Sequence, residues 1–425
     1  LIINSRGTII WLFVAMRDSM INTNFDVTKI LSAGAKALGA GAEEESRWEI
    51  PTDHSDPIDL AVGMPVPEGI PMASLANHFS KVLSSGRFVE MEYEYGRGKI
   101  DLRELLNDPS NGFTSLSQTP DNFILFNGGS GCMESFCATF LNPGDIVLVE
   151  GPSFSGTVET IVKYQGKIIE VPITPEGMSY QVIEEIVAKC RRSGDVIKGI
   201  YTIDDFHNPT GVTMSENNRR MIGQLALENG IIILEDSTYS GLFFEDTPPL
   251  DMYSMNGGEG VLRMGTFSKT IATGLRLGWL QGSAKAIDAI RKTRSDMGNA
   301  PFIQTAVSRF IESSEYSTHV KRMRNLYKSQ CKALTSSLTR HCSNYLEFIE
   351  PKGGFFLWPK CVGVDSAALT KSAAEEGVIF PDGSLFYQDP SLHENHIRLA
   401  FSGNSPERLD EVGLRLRRAF EKLLD

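Results

Sequence analysis

The chain has 425 residues, with 41 Lys and Arg against 53 Asp and Glu, a formal net charge of −12 and 41% hydrophobic residues. This composition excludes a largely disordered chain and supplies apolar material for a large core. An acidic chain without a dense Lys/Arg tract also argues against a nucleic-acid scaffold, while leaving room for a phosphorylated ligand held by a few local donors.

The longest apolar run near the start is Ile9 to Met16, eight residues between Arg6 and Arg17. It is too short to span a membrane as a helix and reads as a targeting remnant or an arm packed on a partner subunit. Residues 17 to 57 read as two short helical pieces and a loop. Ile58 starts a short strand, and a Gly/Pro-stiffened loop follows to Pro71. Residues 72 to 84 form a predicted helix, Tyr93 to Gly98 a loop, and Asp101 to Leu106 the opening of a helix with Asp101 suited to the N-cap.

From about residue 120, strands and helices alternate. Seven strands are predicted: 123–126, 146–149, 167–171, 197–203, 231–234, 260–264 and 277–280. Helices at 132–140, 179–191 and 215–229 separate several of them. Ile231 to Leu234 is continuously apolar, as suits a sheet covered on both faces. The pattern predicts an α/β fold with a mostly parallel central sheet. Residues 283 to 340 read as mostly helical. Strand-like segments at 346–349, 353–358 and 396–399 follow, with helices near 366–376 and 406–424, which predicts a smaller α+β domain. The six cysteines match no zinc pattern or disulfide scaffold and read as reduced, partly buried thiols, which favours a reducing compartment.

Four local features carry chemistry. Gly128-Gly129-Ser130-Gly131 lies between a strand and a helix, where backbone N–H groups and a helix N-terminus can meet an anion; a simple tight turn explains it equally. Asn208-Pro209-Thr210-Gly211 stands just past a strand and is by itself a common turn. Asp236-Ser237-Thr238-Tyr239 follows a buried strand, at the sheet edge where α/β proteins bind ligands, and offers a carboxylate for a cationic nitrogen and a phenol. Thr266-Phe267-Ser268-Lys269, with Arg276 seven residues beyond the lysine, sets an amine among hydroxyls and a guanidinium. Such an amine can form a Schiff base, and its neighbours can hold a phosphate. An anion cradle, an acid, a phenol and an amine are together the demands of pyridoxal 5'-phosphate.

Over roughly residues 56 to 424 the chain resembles the class I/II aminotransferases of the aspartate-aminotransferase fold, nearest the branch of 2-aminoadipate, kynurenine and aromatic amino-acid aminotransferases. The resemblance implies the type I fold of pyridoxal-phosphate enzymes. It divides the chain into an arm (1–57), a segment contributing to the small domain (58–84), a large cofactor-binding domain with a seven-stranded sheet (85–310) and a C-terminal small domain (311–425). It also implies residue roles. Lys269 matches the lysine that binds the cofactor aldehyde, and Asp236 the carboxylate on the pyridine nitrogen. Tyr239 and Asn208 match the pair on the ring 3'-oxygen, and Phe154 the aromatic stacked on the ring. Gly129, Ser130, Thr266, Ser268 and Arg276 match the phosphate cup. Tyr93 matches a tyrosine reaching the neighbouring subunit's phosphate. Arg398 matches the clamp for the substrate α-carboxylate, joined at the substrate by Asn208 and by Gly63 in a Gly-x-Pro loop.

The implied protein is a homodimer, expected in the cytoplasm with organelle targeting left open, without nucleic-acid or stable membrane partners. Its implied activity moves the α-amino group of an amino acid to a 2-oxo acid such as 2-oxoglutarate, by way of pyridoxamine phosphate. No second arginine is evident for a distal carboxylate, so the expected donor is aromatic or large and apolar. The distal pocket is expected from the arm at 17–30, the Gly63–Ile70 loop and the segment around Gly353 to Phe355. The alternative is a pyridoxal-phosphate-dependent elimination, replacement or cyclisation, for example of S-adenosylmethionine. Three positions depart from the family pattern. The phosphate turn carries Gly129-Ser130-Gly131 in place of larger polar residues. The Gly63 loop lacks a frequent following asparagine. Asp204 and Asp205 stand ahead of Asn208, either solvated at the sheet edge or altering the pocket's polarity.

Overall fold

The computed structural model describes residues 26–40 and 50–424, in two units divided at Glu44/Glu45. In the first unit a 3₁₀ turn, Val27–Ile30, is capped by Asp26, and the short helix Ala33–Ala37 by Ser32. The apolar run Ile9 to Met16 lies outside the described residues.

In the second unit, β1 (Ile58–Asp59) pairs in parallel with residues far along the chain, Val378–Ile379. The central sheet is built from β2 (Phe123–Phe126), β3 (Ile146–Gly151), β4 (Lys167–Thr174), β5 (Gly177–Met178), β6 (Ile197–Thr202), β7 (Ile232–Asp236), β8 (Val261–Thr266) and β9 (Gly278–Gln281). Their spatial order is β2-β9-β8-β7-β6-β3-β4-β5. The sheet thus has eight strands where seven were expected; the extra one, β5, is a two-residue hairpin return on β4, too short to leave a periodic signal. The β4–β3–β6–β7–β8 neighbours are parallel, and β9 runs against both β8 and β2. Six strands therefore point the same way, so the turns after β2, β3, β6, β7 and β8 all open at one sheet edge.

The strands read as near-continuous apolar runs because helices cover both faces. Every side chain of β2 is buried, as are the first five of β3. The expected helices are present at Met72–Ser84, Gly129–Phe140, Tyr180–Ser193 and Glu216–Glu228. Asp101 is not an N-cap: the helix begins at Ile100 after Lys99. The carboxylate sits in the first turn, where the helix dipole still favours it.

Three more two-residue strands, β10 (Leu346–Glu347), β11 (Phe356–Leu357) and β12 (Lys360–Cys361), are followed by β13 (Val378–Ile379) and β14 (Leu399–Ala400). They pair β10 with β12 and β11 with β14, beside helices Ser366–Glu375 and Pro406–Leu424. The strand expected over 396–399 is reduced because His396 and Ile397 make only isolated bridges. Helix Met72–Ser84 packs on Pro301–Glu312, and the long helix Glu315–Cys342 on Pro406–Leu424. All six cysteines are buried and free. Among the described residues no helix is long and apolar enough to cross a membrane, and no His/Cys/Asp/Glu group is arranged for a metal.

Candidate active site

The turns at the shared sheet edge enclose a cavity of about 520 Å³. Its walls contain Gly63, Gly129, Ser130, Phe154, Asn208, Asp236, Tyr239, Thr266, Ser268, Lys269, Arg276 and Arg398. Of the residues that the resemblance assigns to cofactor or substrate, Tyr93 alone stands apart from these walls. It is 70% exposed, its ring 5.5 Å from Tyr95.

Asp236 ends β7, buried, with a carboxylate held from both sides. Tyr201 of β6 donates its hydroxyl to Oδ2 at 2.8 Å, and the Thr238 N–H donates to Oδ1 at 3.1 Å. Thr157 in turn donates to the Tyr201 oxygen at 3.0 Å. Burial raises the Asp236 pKa above the usual carboxylate range, against these hydrogen bonds, which lower it. A cationic partner in the cavity reverses that balance in favour of the ionised form. Tyr201 was missed in the sequence; its one visible sign is a polar-tipped side chain within a buried strand.

Lys269 follows β8. Its Nζ donates to the Gly63 carbonyl at 2.7 Å and lies 5.8 Å from the Phe355 ring centre. Burial, with the charges of Arg398 and Arg276, lowers its pKa to about 8. An amine so poised loses its proton readily and becomes a nucleophile. Gly63 leaves no room for a side chain, since a Cβ would meet Phe356 Cζ at 2.4 Å.

The anion cradle forms where β2 turns into helix Gly129–Phe140. Gly128 holds φ at 77°, and a Cβ there would lie 2.9 Å from Arg276 Nη2. Arg276, itself left-handed, donates to the Asn127 carbonyl at 3.1 Å. The Ser268 N–H donates to Thr266 Oγ1 at 3.1 Å, and that hydroxyl donates to Ser268 Oγ at 2.9 Å. A helix N-terminus, two hydroxyls and a guanidinium thus line the same cavity.

Arg398 is buried above β11. It donates to Asn208 Oδ1 at 3.2 Å and to the Ala61 carbonyl. Phe356 and Phe386 lie against its guanidinium at 4.7 and 4.6 Å, and burial lowers its pKa to about 10. Phe386 is anchored to the sheet: the Ser153 N–H donates to its carbonyl at 2.8 Å, and Glu170 accepts from the N–H groups of Gln388 and Asp389 at 2.8 and 3.2 Å. Tyr239 is buried edge-on against Phe355 and Phe356, and burial raises its phenol pKa.

Two expectations about the surroundings need correction. Asp204 and Asp205 are neither solvated nor at the pocket. Both are buried against Arg219, paired with it through Nη1 and through Nη2 at 2.6 Å. A turn that crosses the core between β6 and Asn208 cannot keep its carboxylates in water, so it carries their counter-charge with it. Of the segment Gly353 to Phe355, none lines the cavity; Phe356 does, with Val62 and Met64. Residues 17–25 of the arm, with Arg17, lie outside the described residues.

Pyridoxal phosphate fits these groups: the cradle at Gly128 and Arg276 suits its phosphate, the buried Asp236 its ring nitrogen, and the amine of Lys269 its aldehyde. Fold and cavity together define a type I pyridoxal-phosphate enzyme. The family model for aminotransferase class I and II matches residues 60–416, and the chain belongs to that family. The aromatic-amino-acid aminotransferase 1 of Thermococcus litoralis is 27% identical over 93% of this chain and 95% of its own. The 2-aminoadipate transaminase of Thermus thermophilus is 26% identical over 86% of this chain and 91% of its own. A crystal structure of Pyrococcus horikoshii kynurenine aminotransferase superposes with a TM-score of 0.85, at 27% identity, covering 94% of this chain and 99% of the other. The protein is a pyridoxal-phosphate-dependent aminotransferase, which moves an amino group from an amino acid to a 2-oxo acid.

Proposed function

We propose that the donor is an α-amino acid with an aromatic or large apolar side chain and that the acceptor is a 2-oxo acid such as 2-oxoglutarate. The observation that carries the donor reading is the charge inventory of the cavity. The cations among its described lining residues are Lys269, Arg276 and Arg398, while Val62, Met64, Met133, Phe154 and Phe356 supply apolar wall. Lys269 and Arg276 serve the cofactor, which leaves Arg398 for one carboxylate, the α-carboxylate. The name of the Thermococcus relative supports the same class.

In this reading Arg398, with Asn208, grips the α-carboxylate in a fixed two-pronged geometry and orients the Cα–H bond toward Lys269. Lys269, with a pKa of about 8, is neutral in a substantial fraction near that pH, and its Nζ takes the Cα proton and hands it back on the far side of the reaction. Asp236, supported by Tyr201 and Thr238, would keep a proton on the cofactor's ring nitrogen. Tyr239 and Asn208 would hold the ring 3'-oxygen, and Phe154 would pack on the ring. Gly129, Ser130, Thr266, Ser268 and Arg276 would hold the phosphate, and Gly63 lies on the substrate side. When bound, pyridoxal phosphate supplies the electron sink for the broken Cα bond.

The working assembly is a homodimer, with Tyr93 exposed because it belongs to the partner's phosphate site. The chain divides into an arm at 1–57, a large cofactor domain at 85–310 and a small domain at 58–84 and 311–425. Six buried free thiols support a reducing compartment such as the cytoplasm. The test is a steady-state comparison of phenylalanine, tyrosine, tryptophan, kynurenine, 2-aminoadipate and aspartate with 2-oxoglutarate. The expected order places the aromatic donors first; a strong preference for aspartate overturns it.

A further inference from the structure

A second cavity, of about 410 Å³, adjoins the first. Thr238 and Thr266 line both. Its chemistry is one-sided. In a chain with a net charge of −12, none of its described lining residues is Asp or Glu, yet two are Arg263 and Arg324. Hydroxyls supply much of the remainder, among them Ser237, Ser240, Thr270 and Ser317.

Two of these groups are buried polar atoms without a hydrogen-bond partner in the protein: Ser237 Oγ and Ser240 Oγ. So is Arg263 Nε, which lies 3.9 Å from the Asp251 carboxylate. Ser237, Thr270 and Arg263 are each more than nine-tenths buried. A buried polar group left without a partner costs about 1–3 kcal/mol, and three such atoms belong to residues that line this one cavity. The 28-residue helix Glu315–Cys342 also begins here, with Ser314, Tyr316 and Ser317 of its first turn in the wall; Ser314 makes no side-chain cap, and the Glu315 N–H donates to Ser313 Oγ at 3.4 Å. The acid of that first turn, Glu315, is engaged elsewhere by Ser74 and by His78 at 3.2 Å.

We propose that this cavity is a second ligand site, taking a small oxyanion of the size of inorganic phosphate or a short dicarboxylate. Arg324 supplies the accessible charge. Its Nε donates to the Gly241 carbonyl at 2.8 Å, which fixes the guanidinium at the cavity wall. The site is coupled to the cofactor cavity through its shared residues. Thr238 holds the Asp236 carboxylate, and Thr266 orders the Ser268 hydroxyl. An occupant braces both turns. The inference goes beyond the aminotransferase reading and rests on the cavity alone, so donor turnover, measured separately, keeps the two apart.

The experiment is calorimetric titration of holoenzyme saturated with pyridoxal phosphate, so that the cradle at Arg276 is filled, with chloride holding ionic strength constant. Inorganic phosphate is the probe in one arm and malonate in the other. Saturable binding near one per subunit is expected, together with a raised melting temperature. Arg324→Gln and, independently, Ser317→Glu should each weaken it at least tenfold while turnover without added anion stays within twofold. Circular dichroism checks that each variant is folded, and either variant alone decides the matter. Saturation by phosphate only assigns a phosphate ligand, and saturation by malonate only a carboxylate. No saturable heat in either arm, or binding that neither substitution changes, overturns the proposal.

Discussion

Replacing Tyr201 by Phe removes one hydroxyl from the interior and changes little else in volume. That hydroxyl donates to Asp236 Oδ2 at 2.8 Å in a fully buried setting. A hydrogen bond to a charged group contributes about 1.5–3 kcal/mol, which corresponds to roughly one to two pKa units. The direction follows from the balance at Asp236: burial already raises its pKa, and Tyr201 is one of the groups that lower it, so the variant's carboxyl moves further up. A less readily ionised Asp236 holds the cofactor's ring proton less firmly. We expect kcat/KM for the preferred donor to fall by about ten- to a hundredfold, the same free energy expressed as a rate. Cofactor affinity should fall in parallel, while the denaturation midpoint shifts little. Thr157→Val gives a graded control, because Thr157 donates only to the Tyr201 oxygen and reaches Asp236 at one remove. It should cost less than Tyr201→Phe. The assay is the half-reaction with donor alone, followed by the cofactor's absorbance, alongside equilibrium cofactor binding. A folded Tyr201→Phe variant with unchanged rate and affinity would refute the idea that Asp236 depends on this support.

Gly63→Ala pushes a methyl group into Phe356, which lies against Arg398; overpacking of this kind costs about 1–3 kcal/mol, and the donor KM should rise more than kcat falls. In the cofactor-free protein, the lowered pKa of Lys269, about 8 against 10.5, means the unfolded chain holds more protons between those values, so stability rises with pH across that window. Compared with Lys269→Met, the wild-type chain should recover roughly 2 kcal/mol between pH 8 and 10.5, less than the full shift implies because the amine keeps some contact with the open cavity; denaturant titrations that stay parallel across that range contradict it. Arg219→Leu strands two buried carboxylates, Asp204 and Asp205, and should cost about 3–5 kcal/mol by urea unfolding; a loss below about 1 kcal/mol would show that those acids are neutral without it.

Much of this site was legible because its residues sit at the ends of strands. Apolar runs mark β3, β6, β7 and β8, and a polar cluster directly after such a run can only lie at the sheet's carboxyl edge. Hence Asp236 with Tyr239, Asn208, and Lys269 with its hydroxyl neighbours stood out. Arg398 carried no such local sign and was identified through the resemblance. The supports were not legible. Tyr201, Thr157 and Glu170 act across strands or between segments more than 200 residues apart, as with Glu170 and Gln388, and nothing in the local pattern records that pairing. Asp204 and Asp205 misled for the same reason: charge near a strand end looks solvated until the buried Arg219 is seen beside it.

The sequence by itself determined the alternation of strands and helices, the cofactor's chemical demands and the family, because each depends on residue type and short-range spacing. Tertiary structure alone decided that six of the eight strands share one direction and so deliver five turns to a single cavity. It also placed Gly63 against Lys269 and Phe356, and gave Arg398 its aromatic walls. It set a second cavity beside the first, with no Asp or Glu among its described lining residues. Those arrangements arise where distant segments meet, and burial there changes what each group can do: it lowers the Lys269 pKa, raises that of Asp236 and leaves hydroxyls in need of partners.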